Sequence, residues 1–112
     1  MSALKELNQI FEKLNIPVET GVFSNKTPNT YIVLTPLIDN FDAFADNKPE
    51  VEIREVRLSL FTKENYTNVV ANIVAELFYN DFTITQRRYI GHEDDTDYHN
   101  YAIDVAKHYF IN

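Results

Sequence analysis

The sequence predicts a single small α+β domain spanning residues 1–112. Its core is one antiparallel, or mostly antiparallel, sheet of about five strands with two helices packed on one side, in the order α-β-β-β-α-β-β. Three observations predict it. Two segments carry apolar residues at helical spacing, and several others alternate apolar with polar residues, as a half-buried strand does. A chain of 112 residues fits one domain with a modest core.

Leu4, Leu7, Ile10, Phe11 and Leu14 recur at helical spacing, so residues 3–14 read as an amphipathic helix with Ser2 as its N-cap. Asn15-Ile-Pro17 ends it, because a proline pushes the residue before it out of the helical region. Val18 to Val22 reads as a short strand, and Ser24-Asn-Lys-Thr-Pro-Asn29 as a turn-rich loop. Tyr31-Ile-Val-Leu-Thr35 is a β-branched strand whose exit is marked by Pro36. Residues 38–50 then lose any sustained period, mixing acidic residues with Phe41 and Phe44, and read as a long loop. Val51 to Phe61 returns to strand with a change of phase. Val51 and Ile53 share one face while Val56, Leu58 and Leu60 share the other. A bulge near Arg54-Glu55, or burial on different sides at the two ends, accounts for that.

A second helical stripe follows, formed by Val69, Val70, Ile73, Val74, Leu77 and Phe78 and closed by Asn80-Asp81. The last stretch is a hairpin. Phe82 to Ile90 alternates, Gly91 to Asp97 turns, and the final run places Tyr101, Ile103, Val105, Tyr109 and Ile111 on one face.

Composition narrows the function. With no Cys, the chain has neither a disulfide scaffold nor a thiol nucleophile, and this agrees with a reducing compartment. The N-terminus is amphipathic and lacks the order of a signal peptide, so a soluble cytoplasmic protein is expected. A formal charge of −7 argues against primary nucleic-acid binding, which depends on Lys and Arg neutralising phosphates.

Chemical candidates are few. His92-Glu-Asp-Asp-Thr-Asp-Tyr-His99 holds metal-ligand residue types, but its spacing matches neither a helical His pair nor a calcium loop. A solvated acidic turn is the plainer reading, and no metal or cofactor is expected. His108 stands by itself on the polar face of the last strand. No G-x-S-x-G and no Gly-rich phosphate loop is present, so no enzymatic activity is expected.

Two features suit a partner instead. Arg54, Arg57, Arg87 and Arg88 are either interface cations for the acidic segments of a neighbouring subunit or ordinary surface charge. Phe41 and Phe44, beside Asp42 and Asp46, either fold back on the core or dock on a partner, and the polarity of their segment favours docking.

The chain resembles the small tail-completion (tail terminator) proteins of long-tailed bacteriophages and prophages, which join heads to tails. The likeness rests on the helix ending in Ile16-Pro-Val, the strand Thr30-Tyr-Ile-Val-Leu, the long strand Glu52 to Phe61 running directly into a helix, and the closing Asp97-Tyr-His-Asn-Tyr-Ala-Ile-Asp-Val105. It covers nearly the whole chain and depends on element order and hairpin style, since the family has no catalytic signature.

The resemblance implies a ring, typically a hexamer, that caps the tail tube. The partners it implies are further copies of the chain, the major tail protein and a head-side connector protein. It also implies a virion location after assembly in the host bacterial cytoplasm, with no membrane. DNA would pass nearby unbound, and Glu93, Asp94, Asp95 and Asp97 are candidates for an acidic channel or rim that keeps it from adhering. Other readings stay open: another head–tail connector or neck protein, an acidic monomeric binding or inhibitor module, or a small enzyme using the His92–His99 cluster.

Overall fold

A computed structural model describes residues 3–19, 28–45 and 48–110; for 38–45 and 48–50 it describes the backbone alone. The element order is α1 (Ala3–Lys13), β1 (Val18–Glu19), β2 (Thr30–Ala45), β3 (Lys48–Thr62), α2 (Tyr66–Tyr79), β4 (Thr83–His92) and β5 (His99–Phe110). The strands form a five-stranded sheet in the order β1-β2-β3-β5-β4. Every pairing is antiparallel except the first, in which Val18 and Glu19 run parallel to Ile32 and Val33. The sheet is therefore mixed. The last strand lies inside it, zipped along β3 from Val51↔Phe110 to Thr62↔His99, and β4 takes the edge.

Both helices end on the same device. Asn15 (φ 58°) and Asp81 (φ 65°) adopt the left-handed conformation that a short polar side chain tolerates. Their N–H groups bond Glu12 O and Phe78 O, while the next residues, Ile16 and Phe82, reach back to Phe11 O and Leu77 O. That pattern satisfies carbonyls a helix end would otherwise leave open. At its start α2 is capped by Asn65, whose side chain accepts from the Thr67 N–H at 3.1 Å.

The helical stripes meet one face of the sheet. Leu7, Phe11, Ile73 and Leu77 pack on Ile32, Leu58, Leu60, Ile103 and Val105 in one cluster, all of these residues fully buried. At about 25 cal/mol per Å² of apolar area removed from water, this layer is the main stabilising term. At its margin Glu6 of α1 accepts from the Tyr109 hydroxyl and pairs with Lys107 at 3.3 Å, fastening α1 to β5.

Two expectations change. Pro36 does not end its strand. The β1 pairing covers only Ile32 and Val33, so past that point no described strand flanks the outer side of β2, and an edge position tolerates a missing N–H. Of the expected loop over 38–50, residues 38–45 instead complete β2 and 48–50 begin β3, while 46–47 lie outside the described residues. Register shifts at Pro36/Ile38, Phe41/Ala43 and Ala43/Phe44 explain the misreading, because each one resets the alternation by which a strand is recognised. The phase change in β3 is of the second expected kind. Its ladder with β5 runs without a shift, Val56, Leu58 and Leu60 are buried toward the helices, and Val51 and Ile53 are half-buried on the other side.

Candidate interaction surface

The face of the sheet turned away from the helices carries no described element, and it forms a candidate interaction surface. Alternation from the buried Leu58, Leu60 and Ile103 places Ser59, Phe61, Ala102 and Asp104 there. At one end an aromatic cluster covers it. Tyr31 stacks on Phe61 across the strand pair at 4.9 Å, and Tyr98 meets both edge-on, its hydroxyl donating to Pro28 O. Burial, with the charge of Glu93 nearby, raises the pKa of the Tyr31 and Tyr98 phenols above the ordinary value.

In the middle of this face Arg57 and Asp104 are directly opposed, and the guanidinium donates twice, Nε to Oδ1 at 2.8 Å and Nη2 to Oδ2 at 3.0 Å. The Asp104 side chain is only 8% exposed, whereas Arg57 is 38% exposed. The hydrogen bonds and charge of Asp104 hold the guanidinium above its already high pKa. Arg57 is thus committed within its own chain. Arg54 likewise pairs with Glu52.

The molecule is elongated, 55 × 28 × 24 Å, because β2 and β3 form a long arm. Phe41, Asp42 and Phe44 lie in its outer half, whose strand partners are Glu52, Val51 and Pro49 among others. Asp46 lies outside the described residues. Where β5 follows the arm outward, Phe110 is 83% exposed.

Arg87 and Arg88, being consecutive on β4, point to opposite faces. Arg88 is opposite Ala102 on the uncovered face. Arg87 is opposite Ile103 on the helix side, where it lines a groove of about 240 Å³ with Tyr66, Thr67, Val70, Ala71 and Tyr101. Among the described residues neither guanidinium has an ion-pair partner.

The β4–β5 turn is the acidic rim candidate. Glu93, Asp94, Asp95 and Asp97 are all exposed, the Asp94 side chain to 98%. His92 lies 3.3 Å from Asp94 and 3.5 Å from Asp97, and its ring packs against that of His99, which bonds the Tyr89 hydroxyl at 2.9 Å. Among the described residues no three His, Cys, Asp or Glu are arranged to hold a metal ion. No helix there is long and apolar enough to cross a membrane.

Sequence reasoning missed the partner of Arg57 and the groove beside Arg87. Both depend on which strand lies next to which, and alternation within a strand does not report that. No protein-family model matches the chain, and no curated protein is significantly similar to it.

Proposed function

We propose that this chain is a non-enzymatic phage virion assembly protein that forms a ring at the end of the tail tube and joins tail to head. The observation that carries the reading is the architecture. Both helices cover one face of the sheet, no described element covers the other, and a long strand arm runs outward past the exposed Phe110. A partly apolar sheet face that no described element covers, with the exposed Phe110 toward its outer end, suits contact with further chains. The order α-β-β-β-α-β-β, which underlies the resemblance to tail-completion proteins, supports the same reading. Unlike surfaces on opposite parts of one chain, repeated around an axis, close into a ring. In such a ring the major tail protein and the head-side connector would meet the two rims, and DNA would pass an acidic surface that repels it.

The test is light scattering after size-exclusion chromatography over a wide concentration range, with electron microscopy of the largest species. Monomer or weak association when dilute, and closed rings when concentrated, is the expected result. A tight two-fold dimer at every concentration would overturn it, and a strict monomer would favour the binding-module reading.

A further inference from the structure

We propose that the free edge of β4 takes up an extended segment of a separate protein partner as a further strand, a segment with paired carboxylates at its middle and apolar side chains on either side. The carboxylates meet Arg87 and Arg88, and the apolar side chains lie along α2, which overlooks this edge. The contact goes beyond the ring reading and does not rest on it.

Among the described residues the edge is open. β4 closes the sheet, its strand partner is β5, and all of its residues except Ile84 and Gly91 are exposed. Between the register shifts at Ile84/Gln86 and Tyr89/Gly91, the stretch Gln86 to Tyr89 is regular. Every second residue of such a stretch turns its N–H and C=O outward, as a template for another strand.

The helix beside this edge is almost without charge. Glu76 is the only charged residue of α2, and Lys13 engages it. Thr67, Ala71, Val74 and Phe78 follow one another at helical spacing and form one line along α2. Thr67 and Ala71 line the groove shared with Arg87. Further along, Val74 is half-buried and Phe78 is 62% exposed. A surface helix ordinarily turns charged residues outward. An uncharged line beside an open strand edge fits apolar side chains that arrive on an added strand.

Charge selects the occupant. Arg87 points to the helix side and Arg88 to the other face. Among the described residues neither has an ion-pair partner, whereas Lys13, Arg54, Arg57 and Lys107 each hold a carboxylate of their own chain. An added strand that satisfies both therefore carries acid at consecutive positions, one for each face. Its ends are neutral, since Asp81 precedes β4 and Glu93 and Asp94 follow it. A second β4 does not fit, because pairing about the middle sets guanidinium against guanidinium. A nucleic acid is disfavoured by a chain of charge −7 that offers it only this small cationic site.

The probe is a fluorescein-labelled peptide of about eight residues with two central glutamates, phenylalanine before them, valine after them and blocked ends. Its anisotropy is expected to saturate on the dilute full-length chain, and a peptide with lysines in place of the glutamates to bind at least about tenfold more weakly. Arg87→Glu/Arg88→Glu is expected to reverse that preference; both arginines are exposed, so the fold is retained. Two further peptides carry N-methyl groups on alternate residues, one set on each backbone edge. One is expected to bind and the other to fail, because an added strand bonds to β4 through one edge alone. Equal binding of the glutamate and lysine peptides, equal behaviour of the two methylated peptides, or no saturation below about 1 mM overturns the proposal. Displacement of the peptide by a short single-stranded DNA at physiological salt reassigns the edge to nucleic acid. Dispersal of concentrated assemblies by the peptide reassigns it to a neighbouring copy of this chain, and either result removes the separate protein partner.

Discussion

Arg57 and Asp104 face each other across β3 and β5 as a two-pronged ion pair, on a sheet face that no described helix covers. A carboxylate as enclosed as Asp104 loses most of its water, and the fork of Arg57 replaces it. The backbone carbonyl of Asp104 also accepts from the Thr85 hydroxyl at 3.2 Å, so β3, β5 and β4 are linked around one residue.

The first prediction follows from that pairing. Arg57→Ala is expected to lower the thermal midpoint by several degrees, because it leaves the enclosed carboxylate without its cation. The double variant Arg57→Met/Asp104→Leu is expected to recover most of the loss, since an apolar pair of similar size needs no charge compensation. Thermal unfolding by circular dichroism reads both. A double variant no more stable than Arg57→Ala would show that the pair contributes more than mutual neutralisation.

Core and arm are expected to separate cleanly under mutation. Leu58→Ala removes a fully buried side chain between sheet and helices, and should cost about 2–5 kcal/mol by urea denaturation. Phe41→Ser/Phe44→Ser should leave monomer unfolding within about 1 kcal/mol of the parent, yet weaken association strongly, as loss of interface anchors does. If the double variant instead melts far below the parent, those rings belong to the monomer's own packing.

The acidic turn sets the expected behaviour toward DNA. Replacing Glu93, Asp94 and Asp95 with Lys adds two charges at each position and moves the formal charge from −7 to −1. Asp97 is left alone because its φ of 62° suits a short polar residue better than Lys. The parent is expected not to retard DNA in a gel at physiological salt, while the variant binds it in a salt-sensitive manner. Retardation by the parent would remove the channel-lining reading.

Tyr109 gives a pH dependence with a definite sign. Burial, then its hydrogen bond to Glu6 and the charge of that carboxylate, raise its pKa well above the ordinary tyrosine value. A group whose pKa is raised on folding stabilises the fold fully below its unfolded pKa of about 10, and that stability is lost as pH rises toward the folded value. Urea midpoints are therefore expected to fall above about pH 10, less steeply in Tyr109→Phe, which cannot ionise. Identical alkaline slopes for parent and variant would show that other groups govern the loss.

Local pattern carried much of this fold. The stripes Leu7/Ile10/Phe11 and Val70/Ile73/Leu77 specify which helix faces are buried, because helical spacing acts over a few residues. Asn15 and Asp81 mark the helix ends for the same reason, and period 2 in the last strand places Ile103 and Val105 in the core. The alternation is equally sufficient to put Arg87 and Arg88 on opposite faces. It fails where bulges reset it, and so the outer half of β2, with Phe41 and Phe44, reads as a loop in the sequence.

What only the tertiary structure decided is adjacency. That β5 lies between β3 and β4, that β1 runs parallel to β2, that Asp104 opposes Arg57, and that Arg87 lines a groove with Tyr66 and Tyr101 all depend on non-local pairings. A strand's own residues fix which side faces the core. Its neighbours are selected by the packing of the whole layer, in which several strand orders would bury the same side chains.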